Sequence, residues 1–272
     1  MSSILDDLKM QYKFGGIAFR LIFWNVLCFL VSLLFNFPNW IALSSDPNVL
    51  ITQPWTLITY AFFHHGFGHL FFNMMVLHFS SMLFLTFFNS KQFLGLYLLS
   101  ALFSGIAFVA GYYFLHLSSS MVGASAAIMA ILVATTTYRP LMNVRLLFFG
   151  NVKLWHITAV ILVLDFMQFK IENTGGHIAH LSGAFFGFIF IKLLQNGIDL
   201  SQILTNPFKK SKRAPFRKVH KNYTKSTPKS SSRILVKDKT QQQIDEILDK
   251  ISQSGYDCLT QEEKEFLFKA GK

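Results

Sequence analysis

Residues 177–195 read HIAHLSGAFFGFIFIKLLQ, a run with one cation, Lys192, and with His177, His180 and Ser182 crowded at its start. At 1.5 Å per residue it makes a helix about 28 Å long, close to the hydrocarbon core of a bilayer at about 30 Å. Ala179, Gly183 and Gly187 recur every fourth residue, so one face is smooth enough for a neighbouring backbone to come close. Polar side chains at the top of such a helix are costly in lipid and point to function.

The rest of the chain has the same character. Of 272 residues 52% are hydrophobic, 14% are charged and 31 are Phe, a balance that excludes an ordinary water-soluble enzyme. The net charge of +11 suggests nucleic acid only until it is located: twelve cations lie between Lys209 and Lys239, against one acid, Asp238. The basic character belongs to a tail, and no nucleic-acid partner is expected. Cys28 and Cys258 offer neither a disulfide framework nor a paired-thiol metal site. The apolar run from Gly16 lacks a small-residue cleavage site and reads as a retained anchor.

Six apolar runs can be marked off, near 17–36, 67–88, 93–115, 122–138, 154–169 and 177–195. The fifth is the weakest, being short and containing Asp165. Each must be helical, because lipid leaves no other partner for backbone N–H and C=O groups. Lys9, Lys13, Arg20, Lys91, Arg139, Arg145 and Lys153 flank the ends on one side, together with the basic tail, and only Lys170 lies on the other. Retention of cations inside puts both termini in the cytoplasm, so spans two, four and six enter from the outer face. The expected fold is all-α: a polytopic six-transmembrane-helix bundle with a small cytosolic helical extension at the C-terminus.

The expected organisation is a cytosolic segment over 1–16, the membrane domain over 17–198, a basic flexible linker over 199–240 and a cytosolic helical hairpin over 241–272. The stretch from Asn36 to Thr56, with Trp40, Trp55 and three prolines, suits the outer headgroup level. The linker is too rich in Lys, Ser and Pro to fold alone, and it suits contact with anionic lipid at about 1 kcal/mol per cation. In the hairpin, Ile244, Ile247, Leu248 and Ile251 form one stripe, Gly255 breaks the helix, and Thr260 with Glu263 makes a capping box for a second helix.

Three groups of polar residues stand inside the spans. Span two opens with His64, His65, Gly66, Phe67, Gly68 and His69 and reaches Asn73 one turn later. Span four starts Gly123, Ala124, Ser125, Ala126, and span six carries His180. Ser125 and His180 each lie three or four residues inside the outer end of a run, and so at one depth. Small residues on both helices, Gly123, Ala126, Ala127 and Ala130 facing Ala179, Gly183 and Gly187, would let them meet. A serine hydroxyl becomes a useful nucleophile beside a base.

Each group has a plainer reading. A lone serine in an apolar helix most often bonds back to a helix carbonyl. His64, His65, His69, His177 and His180 could instead line a metal transporter, although no carboxylate accompanies them at ligand spacing within a span. His65 and His177 read as interfacial or supporting histidines and Asp165 as a structural or interfacial residue; His78, His116, His156 and His220 are assigned nothing.

Taken together, the three motifs resemble those of the rhomboid intramembrane serine proteases: a GxSG serine motif on the fourth helix, AHxxGxxxG on the sixth and HxxxxHxxxN on the second. The resemblance covers residues 17 to about 195. It implies a Ser125–His180 dyad, oxyanion stabilisation by His69 and Asn73, and a loop-holding role for His64, with Gly123, Gly183 and Gly187 as structural residues near the site. It implies no cofactor and no metal. Its implied partners are the lipid bilayer and single-pass transmembrane substrates cleaved near the outer face; a bacterial cytoplasmic membrane fits a compact chain of this kind. A silent membrane-protein binder on the same fold is the alternative. Ala126 stands where the family usually has Gly, and Trp55-Thr56 where it has Trp-Arg.

Overall fold

The structure is a computed structural model that describes residues 4–35, 40–146, 150–168, 174–205 and 232–270. The chain divides between residues 213 and 214 into two compact units. The first contains α1 (Ile4–Phe14), α2 (Gly16–Leu34), α3 (Pro47–Thr52), α4 (Thr56–Thr59), α5 (Phe67–Leu85), α6 (Ser90–Leu115), α7 (Ser125–Tyr138), α8 (Leu154–Gln168), α9 (Thr174–Gln195) and α10 (Gln202–Thr205). Two short antiparallel pairs join them: β1 (Leu43–Ser44) with β2 (Ser120–Met121), and β3 (Asn143–Leu146) with β4 (Gly150–Lys153).

Every one of the six apolar runs contains a helix. Four helices, Gly16–Leu34, Phe67–Leu85, Ser90–Leu115 and Gly175–Gln195, are long and apolar enough to cross a membrane. Ser125–Tyr138 and Leu154–Met167 are apolar but shorter. Large apolar side chains face outward on several helices, including Leu33 and Leu34 on α2, Phe67, Phe71 and Phe72 on α5, and Phe166 and Met167 on α8. Apolar surface on that scale would not persist in water. The chain is an integral membrane protein, with bilayer as the solvent of these faces.

The central element is α7, which packs against α5, α6, α8 and α9. Its sequence explains the position: Ala126, Ala127, Ala130, Ala134, Ile131 and Thr135 are all buried, so small residues cover most of its circumference. Around it α6 contributes Phe93, Leu96, Tyr97 and Phe108 to the core, and α5 contributes Leu77 and Phe84. Asn89 caps α6 reciprocally with Gln92, and His116 ends that helix in a left-handed conformation.

The segment before α5 is pinned onto α6 by two buried hydroxyls. Tyr60 donates to the Ala101 carbonyl at 2.9 Å, and Tyr97 donates back to the Ala61 carbonyl at 2.8 Å. The loop after α2 is ordered by its own polar residues: Asp46 caps α3 through the Asn48 N–H, and the Trp55 indole donates to the Trp40 carbonyl. Ser45 and Ser119 exchange hydrogen bonds beside the β1–β2 pair. Residues 36–39, at the start of this loop, lie outside the described residues.

The second unit contains α11 (Ser232–Ser254) and α12 (Gln261–Ala270). Gly255, at φ +80°, ends α11 as its sequence predicts, and Thr260 and Glu263 form the reciprocal cap. Lys250 and Glu263 pair across the hairpin, which holds the Glu263 carboxyl below its ordinary range and raises the lysine. Ile247 and Leu259 are its buried apolar contacts. Of the 199–240 stretch read as linker, residues 206–231 lie outside the described residues, while α10 precedes them and α11 begins at Ser232. The expected lipid contact falls largely on those undescribed residues.

Candidate active site

The turn leading into α7 is built around Gly123. Its φ of +136° is a backbone conformation that side-chain-bearing residues rarely adopt, and a Cβ there would stand 3.0 Å from the His69 ring. The Gly123 N–H donates to the Tyr60 carbonyl at 2.9 Å. The serine turn is therefore tied, through Tyr60, to the hydroxyl pins on α6. Because the chain turns so sharply, α7 begins at Ser125 itself, and the serine is the first helical residue. Its sequence placed it three or four residues inside the helix; the positive φ at Gly123 shortens the helix from the start.

Packing of α9 against α7 brings the histidine to this turn. A Cβ on Gly183 would lie 2.2 Å from the Ala126 carbonyl oxygen, and one on Gly187 would lie 2.2 Å from that of Ala130. The two helices thus touch backbone to backbone over a full turn, and Ala179 is buried in the same seam. At its end, His180 Nε2 lies 2.6 Å from Ser125 Oγ. A serine hydroxyl hydrogen-bonded to an imidazole is an arrangement that can pass a proton and activate the oxygen as a nucleophile.

The polar residues of α5 surround the pair. The His69 ring packs against Gly123, and Asn73 is buried with its amide donating to the His69 carbonyl at 2.8 Å. Asn73, Phe72 and Val76 share with Ser125, Ile128 and Met129 a groove of about 280 Å³. His64 is buried and meets His69 edge-on, with ring centroids 5.1 Å apart. Neither of its ring nitrogens has a hydrogen-bond partner among the described residues. Burial, together with the neighbouring His69 and His65, pushes the His64 imidazole down to about 4. His65 is exposed and stacks at 6.3 Å on His69.

Sequence reasoning did not foresee one contact. Asp165 Oδ1, from α8, lies 2.6 Å from His180 Nδ1 and 2.8 Å from His177 Nδ1. Sequence reasoning read Asp165 as structural or interfacial, with nothing to place it beside His180; its side chain is only 9% exposed and is shared between two histidines. A carboxylate does accompany the histidines, from the next helix rather than within one. The available signal was the cost of an acid in an apolar helix, which demands a partner. The sequence separation of 15 residues across a helix connection hid which partner it was.

Residues 52–196 match the family model of the Rhomboid domain. Residues 236–269, in the second unit, match a family of unknown function, DUF6576. No curated protein matches the chain.

Proposed function

The chain belongs to the rhomboid family, and from that premise we propose that it is an intramembrane serine endopeptidase acting through Ser125 and His180. The observation that carries the proposal is the 2.6 Å contact between Ser125 Oγ and His180 Nε2 at the open end of α7.

Ser125 Oγ attacks a peptide carbonyl carbon while its proton passes to His180 Nε2. The tetrahedral oxyanion is met by donors from His69 and Asn73 and by the N–H groups of the first turn of α7, which have no intrahelical acceptor. His180 then returns the proton to the departing amine nitrogen, the C–N bond breaks and an acyl-serine remains. Water, deprotonated by the same imidazole, releases the acid and restores the serine hydroxyl. One such donor commonly contributes about 3–4 kcal/mol of transition-state stabilisation.

The substrates are single-pass membrane proteins whose helices unwind near the outer face, since a carbonyl locked in a helix is not presented to Ser125. The groove beside Ser125 is lined mainly by apolar side chains, which supports residues of a transmembrane segment as its occupants. Both termini lie in the cytoplasm, by the distribution of Lys and Arg.

A fluorophosphonate tests the chemistry without a known substrate. Ser125 Oγ forms a bond to phosphorus, the P–F bond breaks, fluoride leaves and the serine proton departs through His180. Full-length wild-type protein in detergent is expected to label, and Ser125→Ala and His180→Ala are not. Wild-type protein that stays unlabelled would favour a silent binder of membrane proteins. In cells, Ser125→Ala should accumulate uncleaved precursors that the active protein removes.

A further inference from the structure

The histidine at the site is held from behind as well as in front. Asp165 Oδ1 contacts His180 Nδ1 at 2.6 Å while Nε2 of the same ring faces Ser125 Oγ at 2.6 Å, so a carboxylate, an imidazole and a hydroxyl lie in line across α8, α9 and α7. We propose that Asp165 is the positioning residue of a three-membered relay, fixing the tautomer and orientation of His180, with His177 holding Asp165 in place. This inference rests on the serine-hydrolase reading above and departs from the two-residue arrangement that the family resemblance implies.

A carboxylate constrains where the imidazole beside it carries its proton. Ionised, it only accepts hydrogen bonds, so the 2.6 Å contact requires the proton of a neutral His180 to sit on Nδ1. Nε2 then carries the lone pair, and the Ser125 hydroxyl must be the donor in the front contact. That is the protonation state in which His180 can take the serine proton. Without Asp165 the two tautomers would compete, and the one with Nε2–H could not act as a base. When the proton arrives, the new positive charge on His180 forms beside a negative oxygen already in position.

His177 completes the holding arrangement. Asp165 is 9% exposed, His177 10% and His180 21%, so the carboxylate has given up most of its water. Two N–H donors on Oδ1 offset part of that loss and keep it aimed at α9, while Oδ2 is buried with no hydrogen-bond partner among the described residues. His177 and His180 are three positions apart on α9 and present both Nδ1 atoms to one acceptor. A metal cluster of Asp165, His177 and His180 fits less well. Tetrahedral ligands at about 2.0–2.1 Å from an ion hold their donor atoms about 3.3 Å apart. The observed 2.6 and 2.8 Å are hydrogen-bond lengths.

The test uses full-length protein and the fluorophosphonate probe, measuring the limiting inactivation rate and the apparent probe affinity separately, with an unfolding temperature for each variant. Asp165→Asn should lower the limiting rate by about 100-fold or more and leave the probe affinity within about twofold. Asp165→Glu, which restores a carboxylate on a longer arm, should recover a substantial part of that loss. His177→Asn, whose amide nitrogen can stand where Nδ1 stood, should fall between Asp165→Asn and wild type. An undiminished limiting rate for Asp165→Asn overturns the proposal, as does a fall confined to probe affinity or unfolding temperature. Should Asp165→Asn fail to fold, nitrogen-15 spectra of wild-type histidine side chains, assigned against His180→Ala, decide the matter: neutral His180 protonated on Nδ1 is expected, and protonation on Nε2 overturns it. If wild-type protein does not label at all, the hydrolase reading fails, while the tautomer measurement still tests the carboxylate–imidazole pairing.

Discussion

Gly183 leaves no room for a side chain against Ala126: a methyl group built on it would stand 2.2 Å from the Ala126 carbonyl oxygen. That contact, three residues along α9 from His180 and one residue along α7 from Ser125, sets the separation of the two helices where hydroxyl and imidazole meet. Gly187 makes the equivalent contact with Ala130 one turn further on. The spacing of small residues in both helices is the physical cause of the short Ser125–His180 distance.

Gly183→Ala should therefore act on stability and chemistry together. Forcing α9 away from α7 is expected to cost about 1–3 kcal/mol, within the range for overpacked interiors, and to reduce fluorophosphonate labelling sharply. Gly187→Ala should lose similar stability with a smaller loss of labelling, because its contact lies a turn further from His180. Thermal unfolding in detergent, read beside labelling of the same samples, separates the two effects.

Gly123→Ala should be strained from two directions. A φ of +136° is unfavourable for alanine, and the added methyl group would press on the His69 ring at 3.0 Å. Holding a side-chain-bearing residue in such a conformation costs about 1–3 kcal/mol. The serine turn should relax, with labelling falling further than the unfolding temperature alone would explain.

His69→Ala and Asn73→Ala remove the two α5 side chains proposed to donate to the oxyanion. Each is expected to lower the turnover of a transmembrane reporter substrate by about 100- to 1,000-fold, the usual effect of deleting one oxyanion donor. Affinity for the reporter should change far less. A loss of affinity with turnover intact would move both residues from oxyanion stabilisation to substrate binding.

The buried His64 gives a pH dependence whose sign can be worked out. Its imidazole titrates near 6.5 when unperturbed and at about 4 in the fold. Between those values an unfolded chain binds a proton that the folded chain refuses. The His64 contribution is therefore intact above pH 6.5, declines as pH falls toward about 4 and levels off below. His64→Phe, apolar and of similar shape, should flatten part of that acid-side decline in unfolding temperature.

Much of the architecture was legible because lipid permits so few solutions. Apolar runs had to be helices, and a helix lies in each of them. The glycine and alanine spacing of α9 identified the face it turns to α7, at whose end His180 meets Ser125, while His69 packs against Gly123. Two features were not legible. The sharp turn at Gly123, which starts α7 late, depends on a backbone angle that a GAS sequence does not specify. The partner of Asp165 depends on how α8 leans against α9, which local spacing cannot convey. Length is a further instance: apolar character marks α7 and α8, yet their described spans, Ser125–Tyr138 and Leu154–Met167, are shorter than the four helices long enough to cross a membrane.

That shortness bears on how water would reach a greasy interior. Fourteen helical residues reach only about 21 Å, some 9 Å less than the oily layer they sit in. Since α7 packs against α5, α6, α8 and α9, the expected consequence of the shortfall is a recess within the bundle and not a thinning of the lipid around it. On the proposed reading, water would reach Ser125, the first residue of α7, through that recess without the surrounding membrane being breached.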